Sequence, residues 1–241
     1  MKPEQQKLWF NYLATLRFLT IFPTPKVDAR ISPKLPMFPL VGLTIGLKLY
    51  IVFLIFSGFS PLATAFMLLL VWLISTGFMH LDGAADLADG LGAAHKDPDR
   101  LLTVMKEPNI GAFGVIALII LIVGKLILLT SLAFAEVWVV LLLIPAWARL
   151  GAAWWANSLT PLSDGLATWC KQSDDINLAP WFLLLLFLTA IFAPILLLAP
   201  FVLWAWKAFL ESKVGGMNGD CLGAGIETCE VALLLLCCLA L

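Results

Sequence analysis

The sequence predicts an all-α fold, a polytopic transmembrane helix bundle of about six to seven spans. Three observations predict it. Of 241 residues, 61% are hydrophobic and 13% charged, whereas a soluble domain is about half apolar and a quarter charged. Apolar runs recur at roughly the 20-residue length that crosses about 30 Å of hydrocarbon. The charges collect between those runs. The chain is short for two membrane domains, so residues 1–241 read as a single domain solvated by the lipid bilayer. A net charge of −1, with no long basic run, argues against a nucleic-acid partner.

Residues 1–36 lack the basic start, short apolar core and small-residue cleavage site of a signal peptide. They read as an amphipathic segment on the membrane surface. Apolar windows then fall at 40–56, 61–79, 112–132, 137–156 and 181–206, with a last one ending at Leu241. Pro194 and Pro200 kink the fifth window or divide it into a re-entrant pair. Lys2, Lys7, Arg17, Lys26, Arg30 and Lys34 place the N-terminus in the cytoplasm by the positive-inside rule. Two spans later, residues 80–111 return to that side. Simple alternation puts 157–180 inside and 207–220 outside, although the second stretch is the more basic; a re-entrant segment at Pro194 and Pro200 removes the conflict. Cys170, Cys221, Cys229, Cys237 and Cys238 form no CxxC pair, which argues against a zinc site or disulfide framework.

The chemistry lies in two acidic clusters. The first, HLDGAADLADGLGAAHKDPDR from His80, sets Asp82, Asp86 and Asp89 at i, i+4 and i+7, on one narrow helical face. Unpaired carboxylates there repel one another and are costly at a membrane edge. A divalent cation, Mg²⁺ or Mn²⁺, relieves both penalties. The alternative is that the aspartates cap and solvate a helix end. The second cluster, VGGMNGDCLGAGIETCE from Val214, places Asp220 and Glu227 seven residues apart on another shared face, with Asn218 in the glycine-rich turn that opens the helix. Asp220 and Glu227 are expected to complete the metal site.

Between the clusters, Arg100 and Lys106 suit diphosphate oxygens, although membrane topology explains them equally well. Gly111 opens the following span or meets phosphate. His80 falls on roughly the opposite side of a continuous helix from the aspartates, which fits an interfacial or supporting residue; His95 falls in a loop. Arg149, inside an apolar window, faces the bundle interior and a partner acid or substrate phosphate, or reaches back to the interface.

The stretches HLDGAADLADGLGA, MKEPNIGAFG and GGMNGDCLGAGIE, in that order, resemble the adenosylcobinamide-GDP ribazoletransferase (cobalamin synthase) family; RFLTIFPTP and the ARLGAA around Arg149 fit it too. The resemblance implies a transferase of the bacterial inner membrane with its active site on the cytoplasmic side. It also implies adenosylcobinamide-GDP and α-ribazole, or its 5′-phosphate, as substrates, GMP release, and a requirement for Mg²⁺. On that reading Asp82, Asp86, Asp89, Asp220 and Glu227 hold metal, Asp89 is the first choice of general base, and Arg100, Lys106, Gly111, Arg149 and Asn218 bind substrate. A homo-oligomer is compatible with the apolar surfaces. Two rivals carry less. The aspartate triplet is similar to that of CDP-alcohol phosphatidyltransferases, but the alanine-arginine pair expected after the first DG is replaced by Ala84-Ala85-Asp86. A cation-coupled transporter would call for inverted repeats and mid-membrane charge, whereas these acids cluster at span ends and the two halves are unlike.

Overall fold

Prolines open six of the ten α-helices among the described residues, using the first-turn positions where the missing N–H costs nothing. The structure, a computed structural model, describes residues 3–25, 31–94, 98–135, 138–162 and 176–241. His95 and Cys170 lie outside them. In chain order the helices are α1 (Pro3–Leu19), α2 (Phe38–Phe56), α3 (Pro61–Ser75), α4 (Met79–Ala94), α5 (Pro98–Val104), α6 (Ala112–Ala135), α7 (Val140–Ser158), α8 (Ala179–Phe192), α9 (Ala199–Lys213) and α10 (Gly219–Leu239). Short 3₁₀ turns at Leu35–Met37 and Pro194–Leu198 precede α2 and α9. The architecture is all-α, as expected. The described residues contain only an isolated bridge between Pro161 and Met217.

The centre of the bundle is α7, whose residues from Val140 to Ala156 are buried except for Leu142 and Trp154. Lipid offers no hydrophobic drive to bring helices together, so close contact between backbones has to supply the adhesion. Gly42 and Gly46 on α2 provide it, one turn apart. A Cβ at Gly42 would fall 2.5 Å from Ala146 Cα, and one at Gly46 would fall 2.7 Å from Leu142 Cα. On the outside, α6 presents Ile116, Ile119, Ile120, Val123 and Ile127, and α8 presents Leu183 and Phe187, all exposed. These are lipid-facing stripes.

Among the described residues, four segments are long and apolar enough to cross a membrane: Leu35–Phe56, Ala112–Ala135, Pro194–Lys213 and Gly219–Leu239. Counting α3 and α4 together, bent by 84°, gives a fifth. Two of the expected windows are interrupted inside their apolar length. The 61–79 window stops at Ser75, where Gly77 (φ 60°) and Phe78 (φ 63°) take left-handed conformations and turn the chain. Phe78 does so at a steric cost of roughly 1–2 kcal/mol. The turn is held from outside by the Ile21 N–H, which donates to the Ser75 carbonyl at 3.0 Å. The 181–206 window breaks at Ala193 (φ −154°, ψ 69°) before Pro194.

The break corrects the simple alternation as well. The helix α8 leaves α7 near Trp154 and reaches Trp147, whose indole donates to Thr189 at 3.0 Å. The chain then returns along α9, where Trp155 donates to the Leu203 carbonyl. It arrives beside its own starting level: Met217 N–H donates to Thr160 O and Leu162 N–H to Met217 O, both at 2.9 Å. Residues 160–162 and 217–220 therefore share one end of the bundle, as a re-entrant pair requires. That same end holds the start of α2, the start of α4 and the last turns of α7, since Phe38, Met79, Ala152 and Gly219 line one cavity.

Candidate active site

The helix α4 lies across this end and packs against α10, α6 and α5. Its crossing with α10 is close because both helices contribute glycine. A Cβ at Gly83 would sit 2.7 Å from Asp220 Cα, and one at Gly223 would sit 3.0 Å from His80 Cα. That contact carries Asp220, in the first turn of α10, to the acidic face of α4. The charges acting on Asp86 are those of Asp82, Asp220 and Asp89, in decreasing order, and Asp82 also acts on Asp220. Asp82 is exposed while Asp86 and Asp220 are partly buried. None of the described ion pairs includes any of the three. Among the described residues no three His, Cys, Asp or Glu side chains are already gathered as a metal centre. The carboxylates share a mouth without converging on a point.

Asn218 holds the α10 end of this arrangement. It is the extended N-cap of α10, where its Oδ1 accepts from Cys221 N–H and its Nδ2 donates to Asp220 Oδ2, both at 2.9 Å. Its amide therefore orients the Asp220 carboxylate. The expected opening of the helix at Asn218 is what the structure shows.

Asp89 has a different environment from its two helical neighbours. Gly111 N–H donates to its Oδ2 at 2.6 Å and Gly114 N–H to its Oδ1 at 2.8 Å. It caps the N-terminus of α6 from 22 residues away, where the helix dipole favours negative charge. Both oxygens are engaged, so Asp89 is poorly placed for the base role expected of it. Gly111 spends its amide on Asp89 rather than on a phosphate. A Cβ at Gly111 would lie 2.4 Å from Asp89 Oδ1, and one at Gly114 would lie 2.4 Å from its Oδ2. Gly111→Ala is accordingly expected to push the cap away and cost about 1 kcal/mol or more, the usual value of a lost cap; a thermal unfolding curve of the purified protein reads this, and an unchanged midpoint would contradict it.

Glu227 is one of the residues the structure does not bring to the mouth. It is 1% exposed and accepts from Lys125 Nζ at 2.6 Å. The same ammonium donates to Glu230 at 2.5 Å, and Glu230 also accepts from Arg149 Nη1. Lys125 (α6), Arg149 (α7), Glu227 and Glu230 (both α10) thus form a buried network with equal numbers of each charge. Lys125 further lies 4.8 Å from the centre of the Trp72 ring. Arg149 is interior and acid-paired, one of the alternatives the sequence left open. Lys125 and Glu230 escaped the sequence reading. The signal was available, since Lys125 is the lone charge of an apolar run and Glu230 follows Glu227 by three residues.

Arg100 and Lys106 are exposed, on α5 and in the turn after it. Gly90 of α4 brings that segment close, since a Cβ there would lie 3.1 Å from the Leu101 carbonyl. His80 lies buried between α4 and α10 with no partner for Nδ1.

The geometry therefore combines a carboxylate-lined mouth with a helix capped by Asp89. No solved structure matches the chain. A relative from Laribacter hongkongensis named adenosylcobinamide-GDP ribazoletransferase is 43% identical, over 95% of this chain and 97% of its own length. Relatives of the same name from Novosphingobium aromaticivorans and Thiobacillus denitrificans are each 39% identical, covering 93% of this chain and 94% and 93% of themselves. The family model of cobalamin-5-phosphate synthase matches residues 11–238. That match runs from α1 to the last turn of α10 and takes in both acidic helices, so the chain belongs to the cobalamin-5-phosphate synthase family of enzymes.

Proposed function

We propose that the protein joins adenosylcobinamide-GDP to α-ribazole or its 5′-phosphate, releasing GMP and giving adenosylcobalamin or its 5′-phosphate. The observation that carries this reading is the approach of Asp82, Asp86 and Asp220 on two helices that cross closely, their like charges acting on one another and none of them belonging to a described ion pair. Those residues fit a divalent ion chemically. Mg²⁺ commonly takes one or two protein carboxylates and completes its shell with substrate phosphates and water, so a centre that is open before substrate arrives is the expected form. Asp82, Asp86 and Asp220 would hold Mg²⁺ or Mn²⁺, and Asn218 would keep Asp220 turned toward the mouth. The bound ion supplies charge neutralisation on the diphosphate.

The protein's own groups do the rest. The basic flank of Arg100 and Lys106 holds phosphate oxygens. A ribazole hydroxyl attacks the cobinamide-side phosphorus; its oxygen forms the new P–O bond as the bond to the GMP oxygen breaks. A carboxylate of the mouth accepts the hydroxyl proton. Asp89 serves indirectly, by fixing the start of α6 beneath α4. Arg17 and Lys34 lie on the N-terminal segments whose Phe18, Leu19 and Phe38 line the cavity, which supports a cytoplasmic active site in a bacterial inner membrane.

Purified protein given adenosylcobinamide-GDP, α-ribazole and Mg²⁺ is expected to release GMP, and EDTA is expected to abolish release. Release that persists without metal would reject the metal assignment. No release in any metal would reject the transferase reading in favour of a different substrate pair.

A further inference from the structure

Beside the carboxylate mouth lies a cavity of about 260 Å³, whose lining includes Phe18, Phe38, His80, Asp82 and Asp220. Drug-sized ligands fill roughly 300–1,000 Å³, so a cavity of this size suits a bicyclic aromatic base. The walls select further. Phe18 and Phe38 stand 6.3 Å apart at 32°, Leu19 and Ile226 add aliphatic surface, and Ala152 of α7 forms part of the wall. Aromatic walls of this kind take a flat ring.

The remaining polar feature is His80. It is one of the residues lining the cavity, it is 6% exposed, and its Nδ1 is buried with no hydrogen-bond partner. Such a group is costly unless a ligand or water satisfies it. The benzimidazole of α-ribazole has a single unsubstituted ring nitrogen, an acceptor, which matches one imidazole N–H.

We infer that this cavity is the subsite for the aromatic base of the attacking nucleoside, with His80 donating to the free benzimidazole nitrogen. The ribose then extends toward Asp82 and Asp220, which places its hydroxyl at the mouth. The inference rests on the transferase reading above and assigns one substrate's place within it. The notion of His80 as a supporting residue is thereby sharpened: it binds the nucleophile and not the metal.

The test uses the full chain in lipid nanodiscs and follows GMP release while each substrate is varied in turn at saturating levels of the other. His80→Ala is expected to raise KM for α-ribazole about tenfold, the scale of one buried hydrogen bond, and to leave KM for adenosylcobinamide-GDP unchanged. Ala152→Leu, which narrows the cavity, is expected to raise KM for α-ribazole by a similar factor, and the riboside of unmethylated benzimidazole should recover most of that loss. A purely structural role for His80 would lower the yield or kcat without splitting the two KM values. An unchanged KM for α-ribazole in both variants, or a rise confined to adenosylcobinamide-GDP, would overturn the assignment. Should Ala152→Leu fail to fold, the His80→Ala split decides alone. Absence of GMP release from the unaltered protein would instead overturn the transferase reading.

Discussion

Asp86→Asn is expected to slow GMP release roughly a thousandfold, with Asp82→Asn close behind. The scale follows from the several kcal/mol of charge stabilisation that a bound divalent ion provides, at about 1.4 kcal/mol per tenfold in rate. Asparagine keeps the shape of the side chain and removes only the charge, so the loss reports charge. Asp86 is the more sensitive position because it lies at the centre of the cluster, under the influence of Asp82, Asp220 and Asp89 together. Glu211→Gln provides the control: that acid is exposed on α9 and pairs with Lys207 at 2.7 Å. Surface pairs of this kind contribute little, and its rate should stay within about twofold of the unaltered protein. Similar losses at Asp86 and Glu211 would mean that the carboxylates of α4 carry no special charge role.

The second large effect concerns the buried network. Glu230→Ala removes the carboxylate shared by Lys125 and Arg149 and leaves a net positive charge among residues that are at most 1% exposed. Removing one member of a buried ion pair costs about 3–5 kcal/mol, mostly from the charge left behind. The purified variant should therefore unfold well below the unaltered protein, followed by tryptophan fluorescence in detergent. Removing charges in pairs should behave differently. Lys125→Met alone leaves two carboxylates facing one guanidinium, whereas Lys125→Met with Glu227→Leu leaves a neutral Arg149–Glu230 pair. The double variant should be more stable than the Lys125→Met single variant. Additive losses would show that the network is not held together by its charge balance.

These contrasts mark how much of the molecule is legible in its sequence. Helical spacing correctly placed Asp82, Asp86 and Asp89 on a single face of α4, because 3.6 residues per turn fixes the angle of each side chain about the axis. Spacing leaves depth open. Seven residues advance roughly 10 Å along a helix, enough to carry Asp89 from the mouth to the amides that begin α6, and Glu227 from Asp220's level into the interior beside Lys125. Partners from other helices then decide what each carboxylate does. The interruptions inside two of the apolar windows were hidden for a related reason. Hydropathy finds apolar length, but the left-handed turn at Gly77 and Phe78 and the break at Ala193 are set by backbone geometry and tertiary contacts. The structure shows that Gly83 and Gly223 serve packing, and that packing is what brings Asp220 to α4.

The central claim is that Asp82, Asp86 and Asp220 share a divalent ion. Electron paramagnetic resonance of Mn²⁺ titrated into the protein in nanodiscs, with adenosylcobinamide-GDP present, measures this directly. Saturable binding that is lost in Asp82→Asn, Asp86→Asn and Asp220→Asn but retained in Glu227→Gln is the predicted result. Binding that survives all three aspartate changes, or that vanishes only with Glu227→Gln, would contradict it.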